Sequence, residues 1–138
     1  MVDLEEILEQ ELDKFYTIEF NQLIDVVRKD IQVEIIDNSV FGPISGRFNF
    51  LEQMIWVNKD LPKKSMFFTL IHEYGHFLTF RDYITKFGVD PFKYGADIRR
   101  RELGAYFHGW KFIKNNSVKI SKNDWREFHL EMLDEYGV

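Results

Sequence analysis

His72-Glu73-Tyr74-Gly75-His76 is the stretch of this chain whose residue types and spacing can do chemistry. Two histidines four positions apart on a helix lie about 40° apart around its axis, so both imidazoles can reach one metal ion. Glu73 sits beside that pair, where a carboxylate can take a proton from the attacking water. The pattern reads as a zinc hydrolase, most directly a peptidase. Ser65, Thr69, His72, His76 and Thr79 fall on one polar stripe of the helix. Phe67, Leu70, Ile71, Tyr74, Phe77 and Leu78 cover the other side at core-facing spacing. Since the polar stripe holds the ligands, it is expected to face a cleft.

A catalytic zinc usually takes three protein ligands and a water. The longer pattern H-E-x-x-H-x-x-G-x-x-H would need a glycine and a histidine at the positions held by Thr79 and Asp82. Thr79 lacks the backbone freedom of glycine, so this pattern is disfavoured, although Asp82 could still ligate. The alternative takes a glutamate from the next helix. Glu102 is the only glutamate between the motif and Glu127. Ala105, Tyr106 and Gly109 share its helix face, and two of these are small, which suits a close helix approach opposite Gly75. The competing role for Glu102 is a solvated partner of Arg99 or Arg101.

The elements that must position these groups can be read coarsely. The 138 residues are one domain's worth, and a single domain over 1–138 is expected. Asp3 caps a first helix through Leu4, Ile7, Leu8, Leu12 and Phe15, and Thr17 caps a second running to about Lys29. Ile31 to Ile36 reads as a strand. After a loop at Phe41–Gly46, Arg47–Leu51 and Met54–Val57 form a hairpin turning at Glu52-Gln53. Pro62 opens the motif helix, which runs to about Tyr83. Gly88 to Gly95 is a loop placed to serve as a lid or rim. Asp97 to about Lys114 is helical, and Ser121 caps a last helix with Asp124 at the capping-box position. His129 lies among Trp125, Phe128 and Met132 and is expected to pack rather than ligate. The fold class is α+β, with a small, mostly antiparallel three-stranded sheet packed with helices.

Composition excludes other classes. The net charge is −5, which argues against direct nucleic-acid binding, since phosphate contacts need a basic surface. No cysteine is present, so disulfides and thiolate zinc sites are impossible. The acidic N-terminus lacks a signal-peptide profile and no apolar run reaches membrane-spanning length, so a soluble, cytoplasmic protein is expected.

Val57-Asn58, Leu61-Pro62 and Phe68-Thr69-Leu70-Ile71-His72-Glu73-Tyr74-Gly75-His76-Phe77-Leu78 together resemble the core signature of the ImmA/IrrE metallopeptidases. Glu102-x-x-Ala105-x-Phe107 is similar to the family segment that carries its glutamate ligand, with the aromatic displaced by one position. Ile71 stands where the family usually has alanine. The resemblance covers most of the chain, from Thr17 to Lys114. It implies a gluzincin-like, zincin-type metallopeptidase domain and a cytoplasmic, site-specific endopeptidase. Such peptidases are often encoded by phages and mobile elements, and their typical substrates are helix-turn-helix transcriptional repressors. On this basis His72, His76 and Glu102 hold Zn²⁺ and Glu73 is the general base. Tyr106, one turn beyond Glu102, or Tyr94 on the loop stabilises the oxyanion. His108 points elsewhere on the helix and is not assigned to the metal. One hairpin strand, Arg47–Leu51 or Met54–Val57, is available to pair with an extended substrate. The rival is a non-catalytic, zinc-containing protein-binding module that docks a regulatory partner. A metal-free helical interaction protein is a more distant third.

Overall fold

A computed structural model of the chain describes residues 3–37, 44–88 and 98–135. Among these lie four helices and three strands: α1 (Leu4–Val27), β1 (Gln32–Ile36), β2 (Gly46–Asn49), β3 (Met54–Asn58), α2 (Lys63–Phe87), α3 (Ile98–Asn115) and α4 (Lys122–Glu135). The class is α+β. The chain divides into two compact units, residues 1–70 and 71–138, and the division falls inside α2.

In the first unit Asp3 caps α1 by accepting from the Glu5 amide at 3.0 Å. Thr17 does not start a second helix. Its hydroxyl donates to the Asp13 carbonyl at 2.7 Å, so the helix continues unbroken to Val27. A threonine hydroxyl can either cap a helix or bond back one turn, and residue type alone does not decide between them. The buried face of α1 begins at Tyr16 and continues through Phe20, Leu23, Ile24 and Val27.

The sheet has the order β1-β3-β2 and is mixed rather than mostly antiparallel. β2 and β3 form the expected antiparallel hairpin, with Phe48 opposite Ile55 and Asn49 opposite Met54. The Asn49 side chain accepts from the Leu51 and Glu52 amides, and Gln53 takes a left-handed φ of 54° to close the turn. β1 pairs in parallel with the other edge of β3, Val33 against Ile55. Strand periodicity marks which face is buried but not which neighbour a strand takes, so this pairing was not readable. Ile55 and Val57 are fully buried. β3 is therefore hydrogen-bonded on both sides, which removes Met54–Val57 as a partner for a substrate strand. β2, within Arg47–Leu51, is an outer strand of the sheet.

Asn58 explains the Val-Asn pair before the motif helix. It is buried, donates its side-chain amide to the Ile44 carbonyl at 3.2 Å and accepts from the Asp60 amide at 2.9 Å. Pro62 follows, and its carbonyl accepts from the Met66 amide as the first turn of α2. Tyr16 of α1 packs on Phe67 and Phe68 at 5.6 and 6.1 Å between ring centroids.

The second unit holds the rest of α2, α3 and α4. Ser121 caps α4 as expected, its hydroxyl accepting from the Asp124 amide at 3.0 Å. α2 and α3 meet where Gly75 faces Ala105, and a Cβ at Gly75 would be driven into the Ala105 carbonyl. Gly109 gives the same room to the indole of Trp125. No helix among the described residues is long and apolar enough to cross a membrane.

Candidate metal centre

Every residue of α2 from Met66 to Phe77 is buried. The polar stripe is buried too: Thr69, His72, Glu73, His76 and Thr79 each expose 7% of their surface or less. The stripe thus lies in the interior rather than along an open cleft. Part of the reason is α4, whose Phe128 and His129 rings lie 6.1 and 4.8 Å from the His72 ring. Thr79 satisfies itself by donating to the Gly75 carbonyl at 2.9 Å.

The ligating atoms of His72, Glu73 and His76 lie within 4.8 Å of one another, a buried group that could hold a metal ion. Glu102, from α3, comes closer still. Its Oε2 is 2.9 Å from His72 Nε2 and its Oε1 is 3.2 Å from His76 Nε2. Two ligands of a tetrahedral ion at zinc distances stand about 3.3 Å apart, so these separations suit one ion shared by three groups. A second observation supports the fit. His72 Nε2 and Glu102 Oε2 are both buried, and neither makes a hydrogen bond although they nearly touch. A buried nitrogen and oxygen seldom stay unsatisfied. An ion between them would satisfy both.

The electrostatics follow the same geometry. Burial alone would raise the Glu102 carboxyl, but its contacts with His72 and His76 outweigh burial and hold it below the usual carboxylate range. Burial would lower His76, yet Glu102, and then Glu73, raise it above the ordinary histidine value. Glu102 is thus a buried carboxylate facing the histidines and not a solvated partner of an arginine.

The remaining expected residues fall as follows. Asp82 pairs with Lys86 at 3.3 Å on α2. Tyr106 is half-buried, its ring stacked on Trp125 at 6.4 Å and edge-on to His129 at 5.1 Å. His108 lies in a separate groove of about 450 Å³ with Tyr74, Arg81, Asp82 and Lys111. The loop from Val89 to Gly95, with Tyr94, lies outside the described residues, as do Asp97 and the side chain of Arg99.

One residue of the site was not anticipated in its role. His129 is buried and its Nε2 lies 2.8 Å from His72 Nδ1. Its own Nδ1 lies 3.0 Å from the Trp125 carbonyl, one turn back on α4. Burial, and then the neighbouring His72, push His129 down to about 3, so it is neutral near pH 7. The sequence signal was its place on the aromatic face of α4, which indicates burial but not a polar partner.

The chain matches no protein-family model, no curated protein and no solved structure.

Proposed function

We propose that this chain is a zinc-dependent, site-specific endopeptidase. The observation that carries this is the Glu102 carboxylate spanning His72 Nε2 and His76 Nε2 at 2.9 and 3.2 Å, beside Glu73 on the same helix as the histidines. A purely structural site built on His72, His76 and Glu102 would have no use for Glu73, which is buried beside them.

His72, His76 and Glu102 would hold the ion, which when bound would supply Lewis acidity toward the scissile carbonyl and the water. Glu73 takes one proton from the attacking water as its oxygen adds to the carbonyl carbon. The same carboxyl then delivers that proton to the leaving amine as the C–N bond breaks. Tyr106, one turn beyond Glu102, is the donor assigned to the oxyanion. The resemblance to ImmA/IrrE peptidases supports a helix-turn-helix transcriptional repressor of a phage or mobile element as substrate, and a cytoplasmic setting.

The test is cleavage of such repressors by the purified protein, with and without chelator. Cleavage should stop on chelation and return with zinc. Glu73→Gln should retain the metal and lose cutting, because the amide cannot accept the proton. A Glu73→Gln protein that still cuts would sink the assignment. Tight binding of an uncut repressor by the wild type would favour the docking module instead.

A further inference from the structure

Each polar hydrogen in the row from His72 back to α3 can be placed from its partners. The Trp125 carbonyl only accepts, so His129 Nδ1, 3.0 Å away, must carry hydrogen. A neutral imidazole carries one, which leaves His129 Nε2 as a bare acceptor. His72 Nδ1 stands 2.8 Å from that nitrogen, and one proton must lie between them. It therefore belongs to His72. A neutral His72 protonated at Nδ1 is bare at Nε2, the atom that lies beside Glu102 without a hydrogen bond. The row is anchored at its far end, where the buried Trp125 indole donates to the Tyr106 carbonyl on α3 at 3.1 Å.

We propose that His129 is a positioning residue for the metal centre: by accepting from His72 Nδ1–H it fixes the tautomer and ring orientation that present His72 Nε2 to the ion. This rests on the metal-site reading above but not on peptidase activity. Metal-bound histidines commonly have their second nitrogen held by a carboxylate or a backbone carbonyl. Here a second imidazole does that work, itself oriented by a carbonyl of α4. An imidazole suits the place because it is a neutral acceptor. A carboxylate there would add a further buried acid to a site that already holds Glu73 and Glu102. The ring is also fixed by its neighbours, Trp125 at 4.2 Å and Phe128 at 5.3 Å between centroids.

The chain has four histidines, so the imidazole nitrogen spectrum is simple to assign. The experiment is long-range ¹H–¹⁵N correlation on the metal-free protein, paired with zinc affinity by competition against a chromophoric chelator. In the wild type, His72 and His129 should both appear as neutral Nδ1–H tautomers. In His129→Leu, His72 should lose that tautomer and zinc affinity should fall about 10- to 100-fold. His129→Gln, whose side-chain oxygen can accept from His72, should recover most of the affinity; a packing role alone would not favour Gln over Leu. Wild-type His72 protonated at Nε2 would overturn the proposal, as would unchanged affinity in His129→Leu. If His129→Leu fails to fold, the wild-type tautomer and the affinity of His129→Gln decide the matter. No substrate enters these measurements, so a protein that binds zinc in this way yet cuts no repressor would overturn only the peptidase reading.

Discussion

α1 and α2 are nearly equal in length, 24 and 25 residues, and they treat their side chains in opposite ways. α1 has the more orderly amphipathic spacing, yet from Asp3 to Lys14 every residue is exposed. Leu4, Leu8 and Leu12 show 74, 62 and 55% of their surface. α2 has a less orderly division and is buried on all sides from Met66 to Phe77, polar stripe included. Spacing tells which residues share a face. It does not tell whether anything covers that face. In α1 the apolar stripe has water beside it; in α2 the polar stripe has an acid from another helix. Buried polar groups need partners and exposed leucines do not, so α2 is the more informative of the two.

The sharpest way to break this comparison is to cut the same kind of contact from both helices. Phe67→Ala on α2, where the ring is 1% exposed, should cost about 3–5 kcal/mol in denaturant unfolding. A cost near zero would mean that the interior of α2 is not packed as described. Thr17→Pro should cost about 3 kcal/mol, because it removes a helical amide and clashes with the Asp13 carbonyl. If the chain broke into two helices at Thr17, proline would be tolerated there, so this variant tests the continuity of α1 directly. Zinc at a hundredfold over its dissociation constant should stabilise the wild type by about 2.7 kcal/mol, read as a raised Tm. In Glu102→Ala that rise should largely vanish; an undiminished rise would place the third ligand elsewhere. Smallest of all, Leu8→Ser and Leu12→Ser should each change stability by no more than about 0.5 kcal/mol. A larger loss would show that the α1 stripe is covered in solution.

Much of the candidate site was legible because its residue types and their spacing leave a local trace. His72, Glu73 and His76 share one helix turn and are recognisable by spacing alone. Glu102 was harder, but the small residues Ala105 and Gly109 on its face pointed to a close helix approach, and Gly75 supplied the opposing gap. His129 could not be found this way. Its role depends on a nitrogen 2.8 Å from a residue 57 positions away, and no local pattern records that. The sheet divides similarly. The β2–β3 hairpin follows from a short turn, whereas the parallel β1–β3 pairing is a long-range choice. The merged α1 turned on whether one hydroxyl faced forward or back.

The contact between Gly75 and Ala105 also bears on reach. A Cβ at Gly75 would meet the Ala105 carbonyl, so α3 can lie this near α2 only because no side chain stands between the two backbones. Glu102 precedes Ala105 by three residues, and its carboxylate stands 2.9 and 3.2 Å from the two imidazoles on the facing helix. A side chain absent from one helix thus sets the reach of an acid on the other.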